Sequence, residues 1–513
     1  MEERAPLTGM PLVILTISLS LCTFMQVLDY SIANVAIPYI AGGLAVSDND
    51  GTWVITCFAV GNAICLPLTG WLASRFGSVR VMFLSTLLFS IISWLCGAAV
   101  TFPMLVVSRF AQGLVAGPLI PLSQSLLLQN YPKKQRNLAL TLWSIIVVVA
   151  PVVGPILGGW ITYDYSWPWI FYINVPIGFI SAFLTLRLLK DRETEKVKSP
   201  VDWTGLILLA AGIGALQVLL DQGQQMDWFR NNFIRCLGVI SVVSLIILVI
   251  WELTHKYPLI DLRLLKNRNY AIGTFVTAIS YMVLFGAIVI TPLWLQDYMG
   301  YTATWAGLAI APMGIIPFFA LYPVAKLMSR MSLKPLIALS FASYGLSLFY
   351  FTTFTTDVSF AEIAISRLYL GIGICFYLPP LMAISMAHLP NEKLSSATGI
   401  YHFFRIFAGG AGTSLFVTLW EQRTIFHHSN LTAFISPYID NAKIMLQSLV
   451  NKGFTERQSL AELDVITNVQ SSMLATNDVF WASGWIFALL LVFVFFFKKR
   501  DRLPSEVQPA ENQ

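Results

Sequence analysis

Asp29 stands in the run Gln26-Val27-Leu28-Asp29-Tyr30-Ser31-Ile32-Ala33-Asn34, inside a long apolar stretch. A charge at hydrocarbon depth costs at least ~2.5 kcal/mol, so it needs a partner, a water-filled cavity or a function. Gln26, Asp29, Tyr30 and Asn34 share one helical stripe at three- and four-residue spacing. That stripe is expected to line a central cavity. Desolvation raises a carboxyl pKa and a nearby cation lowers it, so a balanced carboxyl can load and release a proton as its surroundings change. The competing reading is a static Asp neutralised by an arginine.

Arg109, in Ser108-Arg109-Phe110-Ala111-Gln112-Gly113, is the natural partner, with Gln112 one turn along the same face. A guanidinium stays charged, so it can hold ionised Asp29 or compete with a substrate for it. Its alternative is a structural role on backbone carbonyls. Arg367 occupies the position of Arg109 in an internal repeat described below, and His402 and Arg405 fall together on a later helix. His402 and Arg405 are candidates for the cavity wall, with a structural role as the competing reading. No phosphate-cradling glycine loop, paired-histidine, cysteine-rich or nucleophile-elbow pattern occurs, so neither ATP, a metal, a cofactor nor an enzymatic reaction is expected.

These residues need elements that place them in a bilayer. Of 513 residues, 56% are hydrophobic and only 12% charged, about half the charged share of a soluble chain. Apolar runs of about 20 residues recur, long enough to span ~30 Å of hydrocarbon as helix, and lipid leaves helix as the form such runs must take. Spans are expected near 11–38, 51–72, 79–100, 103–127, 138–162, 168–189, 203–221, 233–253, 271–295, 303–327, 335–355, 360–386, 397–420 and 478–497. The first lacks a basic leader and a convincing cleavage site, and reads as an uncleaved helix. All six cysteines lie in or beside apolar runs and read as packing residues. Lysines and arginines gather in alternate connections: Arg75 and Arg80, Lys133, Lys134 and Arg136, Lys190 to Lys198, and Lys498 to Arg502. By the positive-inside rule both termini are cytoplasmic, and the net charge of +5 reads as topology rather than nucleic-acid binding.

The chain also repeats itself. Ser108-Arg109-Phe110 with Gly113, Pro132 and Gly154 recur, at one common offset, as Ser366-Arg367-Leu368 with Gly371, Pro390 and Gly412. The offset spans eight helices, which fits two six-helix bundles with an extra pair between them. The expected organisation is an N-terminal bundle over 1–189, a linker with two extra helices over 190–268, a C-terminal bundle over 269–497 and a tail over 498–513. Such repeats suit alternating access around a midplane site. Segment 421–477 is read as a long outside loop within the C-terminal bundle. Its apolar stripe of Leu460, Leu463, Ile466 and Met473 has helical spacing, and a loop of that length is functional or disordered. The stripe either docks a partner or caps the protein's own outer face.

Several motifs together resemble a known family. Leu28 to Pro38 resembles the first-helix motif of the EmrB-like fourteen-helix drug:proton antiporters of the major facilitator superfamily. Gly70-Trp71-Leu72-Ala73-Ser74-Arg75-Phe76-Gly77 resembles the superfamily's cytoplasmic loop motif, in which Gly70, Arg75 and Gly77 govern conformation; Ser74 departs from the acidic residue usual there. Arg109 with Gln112-Gly113 resembles the proton-coupling motif of the fourth helix. Gly154-Pro155 with Gly158-Gly159 resembles the antiporter motif of the fifth, and Trp169 to Gly178 a further signature of the subgroup. The resemblance covers nearly the full length. It implies an all-α integral membrane protein with two six-helix bundles and two inserted helices, sitting in the bacterial inner membrane. It also implies exchange of protons for hydrophobic toxic compounds, passed to a periplasmic adaptor of the EmrA type and a TolC-like outer-membrane channel. If the stripe of segment 421–477 docks that adaptor rather than packing on the protein itself, Leu460, Leu463 and Ile466 are the residues expected to do so. Export of one natural metabolite, such as a fatty acid or siderophore, is the alternative; a receptor or channel accounts less well for Asp29 and Arg109 in a repeated bundle.

Overall fold

In a computed structural model of the chain the described residues are 7–498, apart from 133–134, 195, 197–201, 257, 388, 391–392 and 436–438. Lys133, Lys134, Lys198 and the tail from 499, which contribute to the charge asymmetry, lie outside them. The described residues are helical and include no strand.

Among the described residues the longer helices group into fourteen segments that overlap the expected spans. They are α1 (Met10–Gly43), α2 (Trp53–Cys65 and Thr69–Phe76), α3 (Ser78–Gly97), α4 (Phe102–Ala116 and Leu119–Asn130) and α5 (Arg136–Asp164). Next come α6 (Trp169–Tyr172 and Asn174–Leu189), α7 (Trp203–Gln222), α8 (Asn232–Thr254), α9 (Arg268–Asp297) and α10 (Ala303–Ile310 and Pro312–Arg330). The last are α11 (Leu333–Phe351), α12 (Phe360–Cys375 and Leu378–Ser385), α13 (Leu394–Thr432) and α14 (Glu456–Phe495). Eleven are long and apolar enough to cross a membrane by length and composition, or twelve if the two parts of α2, bent by 57°, count as one span.

Local chemistry sets the ends. Asp202 caps α7 by accepting from the Gly205 amide at 2.9 Å, and Asn267 caps α9 through the Tyr270 amide at 3.2 Å. Ser359 and Glu362 form a capping box at α12, and Thr455 and Gln458 form another at α14. α4 is interrupted at Gly117-Pro118, where the proline has no amide to continue the ladder.

The packing repeats as the sequence does. α1 packs on α5, α2 on α4 and α3 on α6; α9 likewise packs on α13, α10 on α12 and α11 on α14. Across the seam between the two groups, α5 meets α10 and α12, and α4 and α2 meet α13. The inserted α7 packs on α8 and also reaches α2 and α13.

One expectation is corrected. Segment 421–477 is not a loop: α13 runs on to Thr432, a short helix covers Asp440–Asn451, and α14 starts at Glu456. Hydropathy marks where a helix lies in lipid, not where it stops. Here two helices run on past their apolar stretches still paired, held by Arg423 and His427 on Asp478 at 2.5 and 2.7 Å and by His428 on Asp464 at 3.2 Å. Along the stripe, Leu463 and Met473 are buried, Ile466 is half-buried and Leu460 is exposed.

Candidate functional site

Asp29 and Arg109 meet in the interior of the N-terminal group, where both side chains are fully buried. Arg109 Nη1 donates to Asp29 Oδ2 at 2.5 Å and to Gln112 Oε1 at 2.7 Å, and Arg109 Nε donates to the Val54 carbonyl at 3.0 Å. The guanidinium carbon lies 4.4 Å from the centre of the Phe58 ring and 5.3 Å from that of Phe171. Asp29 Oδ1 accepts from Gln112 Nε2 at 3.2 Å and from Asn174 Nδ2 at 2.8 Å. Asn174 also donates to Ser93 at 3.2 Å, and Ser93 donates to the Phe171 carbonyl at 2.9 Å.

The carboxylate on α1 is therefore held by donors from α4 and α6. A buried pair of this kind is tolerated when the remaining lone pairs are also met. Protonating Asp29 would remove its attraction to Arg109 and turn one acceptor oxygen into a hydroxyl, so the whole set must rearrange. A carboxylate so held can take up a single proton, and its donors sit on two other helices, α4 and α6.

Close backbone contacts surround the pair. A side chain on Gly113 would meet the Phe58 carbonyl oxygen at 2.1 Å, and one on Gly61 the Phe110 carbonyl oxygen at 2.4 Å. Glycines thus let α2 and α4 touch backbone to backbone beside Arg109. α5 lies against α1 in the same way: a side chain on Gly154 would meet Ser31 at 2.4 Å, and one on Gly158 would meet Ile32 at 3.1 Å. Gly159 faces open space. Pro155 belongs to the same helix, but its side chain is outside the described residues.

The remaining candidates separate. Gln26 is buried and donates to Asn62 at 3.4 Å. Tyr30 is half-buried, its ring 6.0 Å from that of Phe58. Asn34 is exposed and donates to the Tyr30 carbonyl at 3.0 Å. His402 is buried at the seam, with Nε2 2.7 Å from Gln124 of α4 and its ring 5.3 Å from that of Trp143 of α5. Arg405 is buried over Tyr281.

The loop motif packs at one end of the seam. A side chain on Gly70 would strike Ser396 at 2.2 Å, and Ser125 and Ser395 are 3.1 Å apart close by. Gly77 has a φ of +94°, in the left-handed region, and a side chain there would strike the Glu193 carboxylate at 2.3 Å. Glu193 caps α3, accepting from the amides of Val79 and Arg80, each at 3.0 Å. Arg75 lies over Trp71, 5.5 Å from its ring centre.

Sequence reasoning did not single out Asn174, Ser93 or Phe58 as site residues. Asn174 carried a signal: it is an amide inside an apolar helix, within the Trp169–Gly178 run.

Two repeated six-helix groups, the first of them holding a buried carboxylate–guanidinium pair, define a membrane transporter scaffold. Residues 19–413 match the family profile of the Major Facilitator Superfamily, and the chain belongs to that family. It is similar to the Multidrug export protein EmrB of Escherichia coli (strain K12), at 46% identity over 500 residues, 97% of this chain and 98% of that one. It is also similar to the Fatty acid resistance protein FarB of Neisseria gonorrhoeae, at 42% identity over 496 residues, 97% and 98% of the two chains. Among solved structures, the proton:xylose symporter XylE superposes with a TM-score of 0.58 at 14% identity, over 95% of this chain and 96% of that one. At that identity the likeness concerns the fold. The EmrB-like affinity expected from the motifs is borne out.

Proposed function

We propose that this protein exports hydrophobic compounds across the bacterial inner membrane in exchange for protons. The observation that carries the reading is the Asp29 carboxylate, buried and held by Arg109, Gln112 and Asn174 from two other helices. The reading is supported by the likeness to proteins named for multidrug export.

In this account a proton arriving at Asp29 breaks its pairing with Arg109. Arg109 stacks on Phe58, and Phe58 adjoins Tyr30, so the change is passed to the face that substrate would occupy. Gly154 and Gly158 hold α5 close against α1, so that α5, which meets α10 and α12 across the seam, moves with its half as the two halves, 1–189 and 269–497, rock. The seam contacts of Gln124 with His402, Ser125 with Ser395 and Gly70 with Ser396 lie at the end that carries Arg75 and Arg80. With that end cytoplasmic, the described conformation is closed inward. The paired extensions of α13 and α14 then project into the periplasm, where an adaptor of the EmrA type and a TolC-like channel would receive substrate. Leu460 is the stripe residue left open to such a partner; Leu463 packs into the protein's own surface.

Proteoliposomes containing the purified chain test the reading. An imposed proton gradient should drive accumulation of a hydrophobic drug, and collapsing the gradient should stop it. Equilibration of drug regardless of the gradient would identify a channel instead. A second reading, export of one natural acid, is favoured by the likeness to a fatty acid resistance protein.

A further inference from the structure

The inserted helix α7 ends in a turn that is fastened to both halves. Gln222, buried at the far end of α7, donates to the hydroxyls of Thr52 and Thr56 at 3.2 and 3.1 Å. Both belong to the N-terminal half: Thr52 caps α2 and Thr56 lies in its first turn. Gln224, two residues further on, reaches the other half. It donates to the Glu421 carboxylate of α13 and accepts from the Thr418 hydroxyl of α13 at 2.7 Å. Closer to the middle of α7, Gln217 backs onto α13 at Gly410, where a side chain would come within 3.5 Å of its amide.

The turn is built to hold Gln224 in place. Trp228 donates from its indole to Gln224 Oε1 at 2.9 Å and from its backbone amide to the Gly223 carbonyl at 2.7 Å. Asp227 and Trp228 have φ of +54° and +49°, in the left-handed region that side chains of Trp size rarely enter. Strain of this kind gathers at functional sites. A plain connection between two helices would not need it.

On the N-terminal side Gln222 grips the support of the Asp29–Arg109 pair. Thr52 and Thr56 stand two residues either side of Val54, whose carbonyl accepts from Arg109 Nε at 3.0 Å. Phe58, two residues beyond Thr56, lies 4.4 Å from the Arg109 guanidinium carbon. Movement of Arg109 on protonation of Asp29 therefore bears on the stretch of α2 that Gln222 holds. From there a continuous run of contacts passes along the end of α7 to Gln224 and into α13. We infer that the inserted helix is a coupling element of the exchange, with Gln222 and Gln224 as positioning residues that pass the state of Asp29 to the C-terminal half. This role presupposes the export reading above and names the element through which its two halves are linked. A run of contacts is not by itself coupling, so the test is a measured interaction between sites.

Full-length protein in phosphatidylcholine nanodiscs, with Cys57, Cys65 and Cys236 replaced by Ser, is spin-labelled at Asp50→Cys ahead of α2 and Ile425→Cys on α13, both exposed positions. Double electron–electron resonance then reports how the two halves are disposed. Asp29→Asn, which stands in for the protonated carboxyl, should change the ratio of the two distance populations about tenfold. In Gln222→Met or Gln224→Met backgrounds that response should fall below about twofold, and the two changes together should do no more than either alone. Thr52→Val with Thr56→Val removes the same contact from the α2 side and should uncouple equally. Arg230→Ala, exposed just beyond the same turn, should leave the full response. Monodisperse elution of each variant shows that it is folded. A purely structural glutamine could lower thermal stability, but the response to Asp29→Asn would survive its loss. Persistence of the tenfold response in both glutamine variants overturns the inference and leaves the export reading standing. Uncoupling by only one of them overturns it too, since a link in series fails at either end. No response to Asp29→Asn in any background would remove the proton role of Asp29 along with it.

Discussion

Asn174 of α6 donates to Asp29 of α1 across 2.8 Å, joining the first and sixth helices at the oxygen that Arg109 does not bind. The amide lets a third helix share in the state of the carboxylate. Asn174→Leu should leave Asp29 short of a donor and Ser93 short of a partner, at about 1–3 kcal/mol. Thermal unfolding of the purified variant should move to lower temperature, and gradient-driven transport should slow. Wild-type behaviour in both assays would make Asn174 a bystander.

Arg109→Lys should abolish most transport although the charge is kept. An ammonium cannot reproduce the fork that reaches Asp29, Gln112 and the Val54 carbonyl together. Initial rates of export at matched expression provide the check; a rate near wild type would show that only the charge matters.

The glycines of α5 should separate by what they face. Gly154→Ala must displace Ser31 and should cost about 1–3 kcal/mol as an overpacked contact. Gly159→Ala meets open space and should leave stability and transport within error of wild type. Equal effects at both positions would contradict the close α1–α5 contact.

Labelling by an impermeant thiol reagent in intact cells checks the orientation. In a background with Cys236 replaced by Ser, a cysteine at Ser448 should react and one at Lys190 should not. The reverse pattern would turn the protein over in the membrane.

Much of this was legible in the sequence because lipid makes it so. Asp29, Arg109 and Gln112 announced themselves as polar groups in apolar helices, and the spacing of Arg109 and Gln112 put them on one face. The spans were visible because each must be apolar over its length in hydrocarbon. Asn174 escaped notice as a site residue because its pairing to Asp29 joins helices far apart in the chain, and its motif gave no atom-level partner. The extensions of α13 and α14 were hidden for the opposite reason. Their sequence is polar, and their helicity comes from the Thr455–Gln458 box and from pairing with each other, which hydropathy does not report. Ser74 marked a missing acidic group in the loop motif, but nothing local pointed to Glu193, which binds at the start of α3 from the linker after α6.

The claim at the centre of this account is that Asp29 carries the proton. Asp29→Asn keeps size and polarity and can still meet Arg109 through its amide oxygen, but it cannot bind and release a proton. In proteoliposomes with a pH-sensitive dye inside, adding drug to the wild type should set off proton movement in exchange for the drug. The Asp29→Asn protein should give none, while binding the drug and eluting as the same monodisperse species on size exclusion. Proton movement at the wild-type rate in that variant would contradict the account.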